Sequence, residues 1–218
     1  MKSTEFITEG LKKQLTQMAR QYKIDDPEVL QVMKVIVTIG QECRPYLNQV
    51  SNPLGLFRGV DGGGKAIKKR IRLDDREPQG MSRRTQSKVN RAFTDKFGAP
   101  FRNSMLCTGD ENEAEAFGNL YSVFPIGDFK FLWSPEIYDL NNILWNIEEE
   151  QGDVIELDDI IKIVNDGNYK TSDLEDAINS RNEIMIRGQG YYGIEHYISE
   201  FGLPDRAILK LLKIGMQK

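Results

Sequence analysis

The sequence predicts an α+β fold, and three observations carry that prediction. Helical periodicity dominates the first fifty residues. Short apolar runs then follow between turn residues, without the regular strand–helix alternation of a doubly wound sheet. Two of those runs, Leu56-Phe57-Arg58-Gly59 and Asn182-Glu183-Ile184-Met185-Ile186, each hold one charge where a buried strand is normally neutral. Desolvating either ion costs on the order of several kcal/mol, so the pair points to a site.

The elements follow in order. Ile7, Leu11, Leu15, Met18 and Tyr22 recur at three- and four-residue steps, the pattern of an amphipathic helix. Asp26 as N-cap, Pro27 at the first helical position and Glu28 after it open a second helix through Val29, Val32, Met33, Ile36 and Ile39. Its β-branched residues favour strand, but its length and cap favour helix. A break at Ser51-Asn52-Pro53 divides the chain into a helical N-terminal segment, residues 1–50, and a domain of residues 51–218. The N-terminal segment either packs on that domain or forms a separate lobe.

Asp61-Gly62-Gly63-Gly64 gives the arginine-bearing strand a loop of high backbone freedom. Residues 82–98 read as a helix with Val89, Ala92, Phe93 and Phe97 on one side and Gly98 as the stop. Strands are expected at Met105 to Cys107, Tyr121 to Phe124 and Phe129 to Trp133. The acidic stretch Glu148 to Asp159 reads as a solvated connection, and Leu157 to Val164 and Thr171 to Asn179 as short helices. Gly188-Gln189-Gly190-Tyr191-Tyr192 reads as a turn with exposed aromatics, and Leu203-Pro204-Asp205 opens a last helix.

Composition narrows the function. The 218 residues are 39% apolar, enough for a packed core, and no run approaches a membrane span or a signal peptide, so a soluble, cytoplasmic protein is expected. Cys43 and Cys107 lie far apart and His196 is the one histidine, which leaves no metal-ligand spacing and a single possible base for a Ser/His/Asp triad. The net charge of -4 hides an asymmetry: Lys65 to Arg91 holds ten basic against three acidic residues, and Asp110 to Glu183 nineteen acidic against four basic. Such a split suits solvated faces, or a basic surface that steers a polyanion.

The two charged strands, with Leu106-Cys107-Thr108-Gly109 between them, resemble the Arg-Ser-Glu motif order of the ADP-ribosyltransferase superfamily over roughly residues 53–197. In that family the arginine closes the first core strand, a Ser-Thr-Ser run opens a middle strand, and a glutamate leads a late apolar strand. The resemblance implies a split, two-sheet core with the ligand in the cleft between the sheets and NAD as substrate, without a metal. It implies Glu183 as the catalytic residue that bonds the nicotinamide ribose and stabilises the developing cation, with Arg58 on the pyrophosphate beside an unobstructed Gly59. Thr108 and Ser104 would take the ribose side, Cys107 standing where the family has serine. Phe117, in a helix similar to the family's Ala-x-x-Tyr segment, would stack on the nicotinamide. Arg181 replaces the Glu or Gln that contacts the acceptor in arginine-modifying relatives.

The implied activity is transfer of ADP-ribose from NAD to a macromolecular acceptor, protein rather than nucleic acid. Two other readings stay open, an NAD glycohydrolase and a non-catalytic binding or virion-associated module on the same fold. The latter draws on Ser3-Thr4-Glu5-Phe6-Ile7-Thr8-Glu9, similar to the start of some structural proteins of large tailed phages, which suggests a phage origin and a host cytoplasm.

Overall fold

Local sequence sets the helices. The computed structural model describes residues 9–74, 81–151 and 155–217; Ile7 and Ser3 to Thr8, with their expected helix and phage-like opening, lie outside them. Helix α1 (Glu9–Tyr22) buries Leu11, Leu15, Met18 and Ala19. Helix α2 (Pro27–Glu42) begins where the Asp26 carboxylate accepts a 2.7 Å bond from the Glu28 N–H, as its cap predicts. A short α3 (Arg44–Leu47) follows. Helix α4 (Arg83–Phe97) starts at Ser82, whose hydroxyl accepts from the Thr85 N–H, and stops at Gly98 in the left-handed conformation that its lack of a Cβ permits.

Among the described residues seven strands form two antiparallel sheets. The strands are β1 (Phe57–Val60), β2 (Ala66–Arg70), β3 (Met105–Cys107), β4 (Asn119–Pro125), β5 (Lys130–Trp133), β6 (Ile184–Arg187) and β7 (Gly190–Glu195). The first sheet has the order β1-β4-β7-β2 and the second β3-β6-β5. A bridge joins them: Phe57 and Thr108 exchange backbone hydrogen bonds of 2.8 and 3.1 Å across the seam. The remaining helices are α5 (Glu111–Glu115), α6 (Leu140–Gln151), α7 (Leu157–Asp166), α8 (Leu174–Ser180) and α9 (Asp205–Met216), with 3-10 turns at Phe101–Asn103 and His196–Phe201.

The main core joins Leu15, Val32, Met33, Ile36, Leu211 and Leu212 of α1, α2 and α9 to residues of both sheets, including Val123, Ile194, Cys107 and Ile184. The N-terminal helices therefore share one core with the sheets. Helices α2 and α9 touch backbone to backbone at two glycines: a Cβ on Gly40 would lie 2.3 Å from the Leu212 carbonyl oxygen, and one on Gly215 would lie 2.2 Å from that of Val37. A second core, with Val89, Phe93, Leu132, Leu140, Leu144 and Met185, fills the other face of the three-stranded sheet under α4, α6 and α7. Side chains alternate along β6, so Ile184 and Ile186 face the main core and Met185 the second.

Two expectations are corrected. Glu148 to Asp159 is not simply a solvated connection, because α6 runs to Gln151, α7 starts at Leu157 and Ile155 is buried. Tyr191 and Tyr192 are not exposed turn residues; they lie buried in β7, between β4 and β2. Among the described residues no helix is long and apolar enough to cross a membrane.

Candidate functional site

Motif strands β1, β3 and β6 lie side by side. β1 is bridged at Phe57 to Thr108, directly after β3, and β3 pairs with β6 through Cys107 and Ile184. The segments that carry Arg58, Thr108 and Glu183 are thus contiguous although they are distant in sequence.

Arg58 lies on the seam. Its Nη1 donates a 2.6 Å bond to the Leu106 carbonyl of the neighbouring sheet, and its Nε–H is buried without a partner among the described residues. Burial pushes the Tyr191 phenol up, and the Arg58 guanidinium beside it pulls it back. A carbonyl accepts one of the five guanidinium N–H bonds and carries no formal charge of its own.

Glu183 is held differently. A single nitrogen of Arg102, Nη1, donates to both carboxylate oxygens at 2.7 and 2.6 Å, and the two side chains retain 6% and 12% of their exposure for Arg102 and Glu183. Arg102 is presented by the 3-10 turn Phe101–Asn103. Phe101 anchors that turn in the second core, and the Asn103 amide oxygen accepts from Gln86 and Asn90 of α4 at 3.1 and 2.8 Å. Burial works against the Arg102 charge, but the Glu183 carboxylate outweighs it and holds the guanidinium above its ordinary value.

The backbone around Glu183 is braced as well. Its N–H donates to the Tyr138 carbonyl at 2.8 Å, and the Asn182 amide donates to the Ser134 carbonyl at 2.8 Å. Tyr169 lies close by, its hydroxyl buried without a partner among the described residues; burial pushes the phenol up and the Glu183 carboxylate pushes it further. Neither Arg102 nor Tyr169 stands out in sequence. The one available signal for Arg102 was a charge beside apolar Phe101, directly ahead of the strand at Met105.

The other expected site residues have structural occupations. Gly59 leaves no open space for a ligand, because α5 fills it: a Cβ there would lie 2.1 Å from the Ala114 carbonyl oxygen and 2.8 Å from the Phe117 carbonyl carbon. Phe57, alternating with Arg58 along β1, packs with Ala114 and Leu120, so α5 and Phe117 lie against the face of β1 away from Arg58. Phe117 itself is 56% exposed. The Thr108 hydroxyl donates to the Arg181 carbonyl at 2.7 Å and accepts from the Asp110 N–H at 3.0 Å, tying the β3 exit to the approach to Glu183. Ser104 and Cys107 are buried. Arg181 is exposed and left-handed at φ 64°, unusual for a residue with a Cβ.

The basic stretch is partly neutralised. Lys65 pairs with Glu28 at 2.6 Å, Lys68 with Glu42 at 2.9 Å, Lys88 with Glu156 at 3.2 Å and Arg91 with Asp95 at 3.9 Å. Four of its ten basic residues thus pair with described carboxylates, and of these Glu156 belongs to the acidic stretch Asp110 to Glu183. His196 stacks edge-on to Phe57 with ring centroids 5.2 Å apart and lies 3.5 Å from a Glu111 oxygen.

Comparisons of the chain with protein-family models, with curated proteins and with solved structures gave no match.

Proposed function

We propose that this chain transfers ADP-ribose from NAD to a macromolecular acceptor with release of nicotinamide, on a split two-sheet core of the ADP-ribosyltransferase kind. The observation that carries this reading is the adjacency of β1, β3 and β6, which sets the arginine, middle and glutamate motifs on neighbouring strands across one seam. The Arg58 Nε–H, without a partner among the described residues, is a donor of the kind a pyrophosphate oxygen accepts.

In this reading the glycosidic C–N bond breaks, its electron pair leaves with nicotinamide, and the acceptor's nucleophile bonds the ribose carbon and gives up its proton. The transition state is oxocarbenium-like, so a fixed carboxylate acts on charge present mainly at that point. A carboxylate has about four lone-pair sites, and Arg102 uses two of those on Glu183, which leaves acceptor capacity for a ribose hydroxyl. Arg102 is then a positioning residue.

The same ion pair favours a second reading, a non-catalytic module on this scaffold, in which Glu183 is structural. Incubation with labelled NAD and cell extract separates the two. Label on a macromolecule supports transfer, free nicotinamide alone supports hydrolysis, and NAD binding with neither product supports the module. For transfer, Glu183→Gln is expected to lower nicotinamide release at least about a hundredfold. Arg58→Lys is expected to weaken NAD binding by calorimetry more than it slows turnover. Unchanged release from Glu183→Gln removes Glu183 from the chemistry.

A further inference from the structure

A groove of about 530 Å³ runs between α6 and α7, remote in composition from the motif strands. Its floor is apolar: Ile137, Ile143, Ile147 and Ile163 line it, and the last three are only partly buried. Its rim is acidic, with exposed Glu136, Glu150, Asp159 and Asp166 against a single Lys162. Among the described residues none of these four carboxylates is in an ion pair, in contrast to the acidic partners of the basic stretch. The imbalance extends along the sequence, where Glu136 to Asp166 holds ten acidic residues and one basic.

The spacing shows what shape the groove presents. Ile143, Ile147 and Glu150 fall at four- and three-residue steps on α6, and Asp159, Ile163 and Asp166 do so on α7. Each helix therefore turns one continuous stripe, isoleucine flanked by carboxylate, to the seam. Leu140, Leu144, Ile160 and Val164 are buried within the second core, whereas Ile143, Ile147 and Ile163 pack against it and stay partly exposed to the groove.

We infer that this groove is a docking site for a cationic amphipathic helix of another protein. Two helical ridges with a trough between them suit an inserted helix, whose apolar residues at i, i+3, i+4 and i+7 would cover the isoleucines. Lysines or arginines flanking that stripe would meet the four carboxylates, which have no ion pair among the described residues. Apolar burial supplies the affinity, and the rim charges set orientation and on-rate. This inference is independent of NAD chemistry, since no lining residue belongs to the motif strands.

The test uses the full chain and a synthetic helical peptide of about fourteen residues, roughly four turns, with leucines on one face and lysines on the other. A peptide of identical composition with its leucines scattered is the control. Fluorescence anisotropy is expected to give saturable binding that the scattered peptide lacks, weakened at least about tenfold by Ile147→Asp and by the double variant Glu150→Lys/Asp159→Lys. Ile147 also packs on the second core, whereas Glu150 and Asp159 are exposed, so the double variant tests the site without disturbing the fold. Amide shifts in the unmodified protein should concentrate in residues 136–167. Equal binding of both peptides, indifference to both variants, or shifts centred elsewhere overturns the proposal. A dimer in sedimentation that Glu150→Lys/Asp159→Lys dissolves also overturns it, by seating a second copy of this chain in the groove.

Discussion

Arg58 and Glu183 look alike in sequence, each a lone charge on an apolar strand, yet they sit in unlike surroundings. Arg58 leans on a backbone carbonyl and keeps a bare Nε–H; Glu183 has both oxygens taken by a buried cation. A carbonyl satisfies one donor and brings no formal charge to the guanidinium, which is what the proposed pyrophosphate contact of Arg58 requires. The Arg102–Glu183 pair is electrostatically closed, and its partners depend on each other for burial. A lone strand charge is thus held in one of two ways, by a neutral carbonyl or by a buried counter-ion, and only the fold shows which.

The sharpest way to break this contrast is to remove one half of the pair. Arg102→Met leaves a carboxylate in the interior without its cation, and such a loss costs about 3–5 kcal/mol. Urea unfolding should show that drop, and Arg102→Met/Glu183→Leu should recover most of it by replacing both charges with apolar volume. Arg58→Met removes one bond to a carbonyl and should cost only about 1 kcal/mol. Equal losses from Arg58→Met and Arg102→Met would mean that the two charges have the same standing, and the receptor reading of Arg58 would fall.

A second expectation concerns the position beside Arg58. Gly59→Ala forces α5 away from β1, because the new methyl would sit 2.1 Å from the Ala114 carbonyl oxygen, a backbone atom that no rotamer change can move. Overpacking of this kind costs about 1–3 kcal/mol, readable as a lowered midpoint of thermal unfolding. An unchanged midpoint would show that α5 rests loosely on β1 and that the space near Gly59 is open to a ligand after all.

The sequence disclosed whatever was local. The Asp26 cap, the helix that follows Ser82, its Gly98 stop and the Met105 to Cys107 strand could be read because each signal lies within a few residues of its effect. Leu140, Ile143, Leu144 and Ile147 also carry a helical pattern, which the acidic run after them obscured. What could not be read is pairing at long range. Arg102 and Glu183 are 81 residues apart, and nothing near either one announces the other. Tyr191 and Tyr192 resembled a turn because Gly188 and Gly190 precede them; neighbours β4 and β2, supplied by the fold, make them a central strand. Gly59 likewise reads as room for a ligand, and the claimant to that room is a helix some fifty residues onward.

The mildest test lies two residues ahead of Glu183. Arg181 closes α8 in the left-handed conformation at φ 64°, its N–H donating to the Ile178 carbonyl at 3.1 Å and its own carbonyl accepting from Thr108. The strain belongs to the Cβ, whereas the bonds belong to the backbone, so Arg181→Gly should relieve the first and keep the second. Left-handed geometry costs a residue with a Cβ roughly 1–2 kcal/mol, and glycine gives back part of that through its freer unfolded chain. The expected net is a gain of at most about 1 kcal/mol, a rise of about 2–4 °C in a chain of this size. A fall would mean that the exposed guanidinium contributes more than its backbone loses. If the protein transfers ADP-ribose, acceptor labelling with the glycine variant adds a second readout. A stabilised variant with impaired labelling but normal nicotinamide release would put the Arg181 side chain on the acceptor side of Glu183, with its strain retained for that use.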